Sequence, residues 1–429
     1  MERLIKKIVN NCKVIDVHTH LFPYEHGELF LYGIDSLLTY HYLIAELFIF
    51  YKDISIEIFY KLSKKQQADI IWEQLFILKS PISEACRGVL TVCKKLGLEK
   101  AVKNKDLNEI RKFFDNLNSD PEILKNYITE IFKMANVEYT IMTNQIFNNK
   151  EIHYWSTIES TNIPKEFKTS LRIDELLFNY DNCLKFIQQY NYPPTDDGLK
   201  DYIKYWYKKL KPQYFMASLP SDFSYHLEEC KDIVFRMNYT NVIDLFLVPL
   251  AIELKLPIAF KFGTQRGMNK RLGDAGDSLG VAYVESLSNL CRLYPNCKFL
   301  ATFLSKVNQH QLCVAARNFP NLHIYGCWWY LNNPSLIEEI TNMRIEMLGL
   351  GFTFQHSDSR VLEQLLYKWD HSKKILIEIL IKKYKEMRET GWDLKEEDII
   401  RDVNLLLRGS FENFMNLNKK NPSQKLIKS

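Results

Sequence analysis

Eight short apolar runs, rich in β-branched and aromatic residues, recur along the 429-residue chain, each closed by a polar residue, Gly or Pro. They cover residues 13–18, 137–143, 168–173, 213–219, 257–263, 298–304, 322–328 and 351–356. Most are apolar throughout instead of alternating, which is the pattern of parallel strands covered on both faces by helices. Helical patterns fill the gaps, as in HQLCVAARNF after the sixth run and SLIEEITNMRIEML after the seventh. Eight strands alternating with helices predict an α/β chain folded as a (β/α)8 TIM-type barrel.

One gap is out of proportion. Between the first and second runs lie more than a hundred residues, nearly all helical in pattern, read as a helical insertion over 21–136 on the catalytic rim. Within it SPISEACRGVLTVCKKLGL (80–98) predicts a helix with a Ser-Pro start and apolar residues at 85, 89, 93 and 96. The barrel with its insertion spans 1–415, and the lysine-rich 416–429 reads as a frayed tail.

Bulk properties narrow the function. A net charge of +4 gives no reason to invoke nucleic acid or an anionic membrane. The nine cysteines include no CxxC pair, which argues for free thiols in a reducing compartment. No apolar signal segment opens the chain, and the most apolar window (37–51) is too short to span a bilayer. The expectation is a cytoplasmic enzyme, with homo-oligomerisation left open.

Chemistry gathers at the strand ends. VIDVHTHLFP (14–23) puts His18 and His20 two residues apart, so both face one side of the first strand, together with Asp16, at the C-terminal mouth. Two neutral imidazoles from one strand suit a divalent metal, zinc first, although an isolated HxH is equally often a pair of turn histidines. Asp358 closes the eighth run, and in a closed barrel that run neighbours the first. This favours a ligand or general base over a solvated turn residue.

Arg172 ends the third run, Asp222 follows the fourth, Lys261 lies on the fifth, and Arg266 and Arg271 lie just beyond it. Cations around one mouth suit a small carboxylate, though each alone also reads as a surface residue. His41 and Tyr42 stand on an apolar helix of the insertion, where a lone histidine is more often core. Trp328 and Trp329 either wall the pocket or fill the core. GDSLG (276–280) matches the G-x-S-x-G nucleophile pattern, but a loop precedes Ser278 where that motif needs a strand.

With DVHTHL, the YHY of 40–42, LRID (171–174), RGMNKRLGDAGDSLG (266–280), GCWW (326–329) and HSDSR (356–360), the chain resembles the uronate isomerases, a branch of the amidohydrolase superfamily. The resemblance covers about residues 13–415. It implies one metal, usually zinc, on His18, His20 and Asp358. It further implies that His41 and Tyr42 enter the site from the insertion, that Arg172 meets a substrate carboxylate, and that Arg360 flanks Asp358. The implied reaction is aldose–ketose isomerisation of a sugar acid. The chain departs from the family pattern at Lys261, where a histidine stands, at Asn144, where an acidic pair stands, and at Phe223, where a histidine follows the aspartate. Two rivals use the same residues: a metal-dependent hydrolase, and an inactive barrel of the same family.

Overall fold

The computed structural model describes residues 1–117, 120–158, 163–225 and 238–417. One sheet curls through β1 (Val14–Thr19), β2 (Val137–Gln145), β3 (Phe167–Arg172), β4 (Phe215–Pro220) and β5 (Ile258–Gln265), each parallel to its neighbour. The sequence does not flag β6 (Ser278–Leu279), which folds back antiparallel onto the end of β5. The parallel order then continues through β7 (Phe299–Phe303) and β8 (Leu322–Ile324). The fold is a (β/α)8 TIM-type barrel with a large helical insertion after the first strand.

The eighth run departs from the expected strand. Thr353 makes one parallel bridge to Tyr325, donating its N–H to Ile324 and accepting from Gly326, both at 3.0 Å. Further on, the Asp358 N–H donates to the His18 carbonyl (3.2 Å), and the His20 N–H donates to Ser359 (2.8 Å). Those bonds close the barrel. Asp358 has φ +54°, so the polar QHSDS stretch turns into the mouth instead of pleating along it.

Inside, Ile15, Val17, Tyr139, Ile141, Tyr214, Met216, Ala259, Leu300 and Tyr325 form a packed plug, and Phe411 seals it. The barrel's outer layer includes the long helix Gln364–Glu389, which packs on Glu2–Asn11, Glu84–Lys95, Pro121–Ala135 and Pro334–Leu348.

Among the described residues between Tyr24 and Ala135 the insertion is built of successive helices, as expected. The helix in SPISEACRGVLTVCKKLGL begins at Glu84, later than the Ser-Pro pair suggests. The Ser83 hydroxyl accepts from the Cys86 N–H (3.1 Å) and caps it there. Arg111 binds Asp35 (2.9 Å) and Asp69 (2.6 Å) and holds three helices together. Buried Glu363 accepts twice from the Gly33 N–H (3.1 Å) and once from the Tyr127 hydroxyl (2.9 Å), tying the insertion to the barrel. Most of the expected tail, 418–429, lies outside the described residues.

Candidate active site

His18, His20 and Asp358 come together at the mouth, their ligand atoms all within 4.8 Å of one another. Asp358 Oδ1 is 3.1 Å from His18 Nε2 and 3.5 Å from His20 Nε2. Asp16 does not join them, correcting the two-residue count from the strand. The register of β1 against β2 slips by one residue between Asp16 and Thr19, which breaks the alternation. Asp16 turns outward and accepts from the Trp369 indole (2.9 Å) and the Ser357 N–H (3.0 Å).

The protonation pattern suits a metal ligand set. Thr143 donates its hydroxyl proton to the Thr19 carbonyl (3.0 Å), so toward His18 Nδ1 (3.4 Å) it can only accept. That places the imidazole proton on Nδ1 and leaves the Nε2 lone pair facing Asp358. Burial, then the Lys261 charge, lowers His18 to about 4, and burial also lowers His20. Burial alone would raise Asp358, but the Lys261 ammonium beside it holds it well below the ordinary carboxylate range. Two neutral imidazoles and a carboxylate converging on one point fit a divalent cation. Lys261 Nζ lies beside them, 2.6 Å from His18 Nε2 and 3.3 Å from Asp358 Oδ1. Burial lowers this lysine to about 7.

The remaining candidates divide into two groups. Arg172 is mostly buried, pairs with Asp174 (2.7 and 3.2 Å), and acts electrostatically on His18 and Lys261. Arg360 pairs with Asp274 (3.1 Å) and flanks Asp358. Arg266 binds Asp277 and lies 5.2 Å over the Trp329 ring. Trp328 lies 4.4 Å from the Lys261 ammonium, and the His41 ring is 5.9 Å from Trp329. Both tryptophans therefore wall the mouth. Arg271 goes elsewhere: its side chain is 63% exposed and its guanidinium grips Glu57 of the insertion on the outer rim. Asp222 is exposed and also stays away.

At the three departures from the family pattern, Phe223 packs on Phe262 (5.8 Å), and Lys261 joins the cluster directly. Asn144 donates to the buried carboxyl of Glu151 (3.1 Å), which also accepts from Gln145 (2.9 Å) and Trp155 (3.0 Å). Burial raises Glu151 to about 7, and Arg172 acts on it. Helix Asn149–Thr157 thus supplies an acidic group where the strand itself has none.

The motifs do not single out His356 or Lys368. His356 is fully buried, 5.2 Å from the His18 ring, with neither ring nitrogen hydrogen-bonded among the described residues. Its place beside Asp358 in HSDSR is the signal that could have found it. Lys368 lies on the helix Gln364–Glu389, among residues whose pattern reads only as core.

Ser278 sits in β6, hydrogen-bonded beside Gln265, with no helix following it directly, so GDSLG is no nucleophile elbow.

A (β/α)8 barrel with a His-His-Asp cluster at its C-terminal mouth is the class these features define. The uronate isomerase of Bacillus halodurans C-125 is 41% identical, with a TM-score of 0.89, covering 97% of this chain and 96% of that one. The chain belongs to the uronate isomerase family, and so to the aldose–ketose isomerases. The uronate isomerase of Thermotoga maritima (14% identity, TM-score 0.73, 96% and 97% covered) and the glucuronate isomerase of Caulobacter crescentus (14%, 0.77, 98% and 95%) share the fold. Neither a protein-family model nor a curated protein matches the chain.

Proposed function

We propose that the chain interconverts the aldose and ketose forms of a small sugar acid of the uronate type through an enediolate, using one divalent metal, zinc first. The observation that carries this reading is the convergence of His18, His20 and Asp358 beneath a ring of arginines and aromatic walls. His18, His20 and Asp358 would hold the metal, which as a Lewis acid supplies charge stabilisation for the oxygens of the enediolate.

The chain's own groups do the rest. Arg172 and Arg266 serve as anchors for the substrate carboxylate, and Arg360 flanks Asp358. Asp358 accepts the proton from the carbon next to the carbonyl. Asp358 returns that proton to the neighbouring carbon; burial holds the Tyr42 phenol well above its ordinary range, so it stays protonated and can pass the separate hydroxyl proton from one substrate oxygen to the other, with His41 beside it. Trp328 and Trp329 exclude water, and Lys261 adds positive charge beneath the substrate oxygens.

The eight cysteines among the described residues are all free, which supports a reducing, cytoplasmic setting. Among the described residues no helix is long and apolar enough to cross a membrane.

The test is metal content of protein purified without chelators, followed by a panel of hexuronates. One metal per chain, lost in His18→Ala, with turnover lost in Asp358→Asn, is the expected result. Full turnover in both variants would sink the assignment. A second reading, metal-dependent hydrolysis, draws on Lys261 beside the ligands. Two metals per chain with ester or amide cleavage would favour it over isomerisation.

A further inference from the structure

The N–H groups of residues 356–361, in the turn that carries Asp358, are satisfied mostly by side chains of the same segment. The His356 N–H donates to Gln355 Oε1 (3.1 Å) and the Ser359 N–H to Ser357 Oγ (3.2 Å). Those of Arg360 and Val361 both donate to Gln364 Oε1 (2.8 and 3.1 Å). Such local bonds give the turn its shape but do not place it against β1.

Placement comes from three ties to β1. The Asp358 N–H donates to the His18 carbonyl, and the His20 N–H donates to that of Ser359, both backbone to backbone. The remaining tie is of another kind: the Ser357 N–H donates to Asp16 Oδ1 (3.0 Å), 341 residues away. Residues 16, 18 and 20 thus meet 357, 358 and 359 in order. The eighth run does not pleat as a strand here, so a side chain makes the bond that a strand neighbour would have made.

Asp16 is fully buried, with no cation among its hydrogen-bond partners in the described residues. Its other oxygen accepts from the Trp369 indole (2.9 Å) on the helix Gln364–Glu389. Both oxygens are therefore engaged by N–H donors. Burying a carboxylate without a counter-cation is costly unless its hydrogen bonds compensate. The bonds of Asp16 hold a strained neighbour: Asp358, next to Ser357, keeps φ +54°, a conformation that persists only where its surroundings over-determine it.

We infer that Asp16 is a positioning residue for the metal centre, its carboxylate locking the turn onto β1 so that Asp358 Oδ1 stays aimed at His18 and His20. The inference rests on the reading above that these three residues hold a metal. Trp369 braces the carboxylate from the opposite side and does not touch the turn.

The experiment takes wild type, Asp16→Asn and Trp369→Phe through chelator competition of the zinc-loaded proteins and urea unfolding in excess zinc. Asp16→Asn sets an amide N–H against one of the two donors. Its metal affinity falls at least about tenfold, the range for residues that orient a metal ligand. With cobalt in place of zinc, its visible spectrum shifts as the coordination geometry changes. Trp369→Phe loses a buried hydrogen bond and unfolds at lower urea. Its metal affinity stays within about threefold of wild type and its cobalt spectrum is unchanged, because the tie to Ser357 remains.

Equal zinc affinity in Asp16→Asn and wild type overturns this inference alone. So does a loss of affinity that Trp369→Phe shares in proportion to its lost stability, since a general loosening of the fold then accounts for both. Should Asp16→Asn not fold, Asp16→Ser, which removes the carboxylate without opposing two donors, decides by the same measurements. Wild type that binds no zinc overturns the functional reading, and this inference with it.

Discussion

Asp358 and His18 are joined twice: the Asp358 N–H donates to the His18 carbonyl at 3.2 Å, and its Oδ1 lies 3.1 Å from His18 Nε2. The backbone bond that closes the barrel therefore also sets the carboxylate against the imidazole. Closure and site assembly are one event, and Asp358 holds a left-handed φ of +54° to achieve both.

Thr143→Val should weaken metal binding without touching a ligand. The variant removes the acceptor that fixes the His18 Nδ1 proton and frees the ring to take the wrong tautomer. Loss of such a partner typically lowers affinity about 10–100-fold. Chelator competition on wild type and variant measures it, and equal affinities would mean the threonine is only packing.

Gly326→Ala should be severely destabilising. A Cβ there would stand 2.1 Å from His356 Cδ2, and φ is +63°, so the substitution incurs both a clash and backbone strain. A loss of about 2–4 kcal/mol in urea unfolding is expected, together with reduced metal content as His356 is driven toward His18. A variant as stable as wild type would show that the barrel wall yields more easily than its packing suggests.

Stability should depend on Glu363 ionisation. Burial raises its pKa from the ordinary carboxylate range to about 7, so the folded state holds a proton that the unfolded state releases. The sign follows: the contribution is fully present below the ordinary carboxylate pKa and is lost as pH rises toward about 7. In Glu363→Gln this loss disappears. Relative to wild type, the variant should gain on the order of 2–3 kcal/mol between pH 5 and pH 8. Melting curves across that range decide, and parallel profiles for the two proteins would refute the protonated carboxyl.

Arg172 and Arg271 should separate cleanly. Arg271→Ala breaks an exposed, solvent-screened pair with Glu57 and leaves KM for a sugar acid within about twofold. Arg172→Ala removes a mostly buried cation beside the cluster and raises KM at least about tenfold. Steady-state kinetics on both variants test the pair, and a large KM effect at Arg271 would place the outer rim in the site after all.

Period and order along the chain carry the fold. Eight apolar runs at barrel spacing, a helical stretch of over a hundred residues after the first, and HxH and D-S-R at the two ends of the series are local features that need no coordinates. They determined the barrel, its insertion, and the meeting of His18, His20 and Asp358, because strands one and eight of a closed barrel must be neighbours.

Only the tertiary structure decided which side chains reach the mouth. A one-residue slip in β1 turns Asp16 outward and His18 inward, and strand periodicity cannot register it. Arg266 and Arg271 are five residues apart in one loop, yet the first stacks on Trp329 and the second is drawn to Glu57, from a distant part of the chain. Lys368 reads as one more position on a long helix, and only the packed insertion brings the Tyr42 ring to 5.5 Å from its ammonium. Backbone preferences act over a few residues and are written in order along the chain. Pairing of buried charges acts across hundreds of residues and is set only when the packed elements meet.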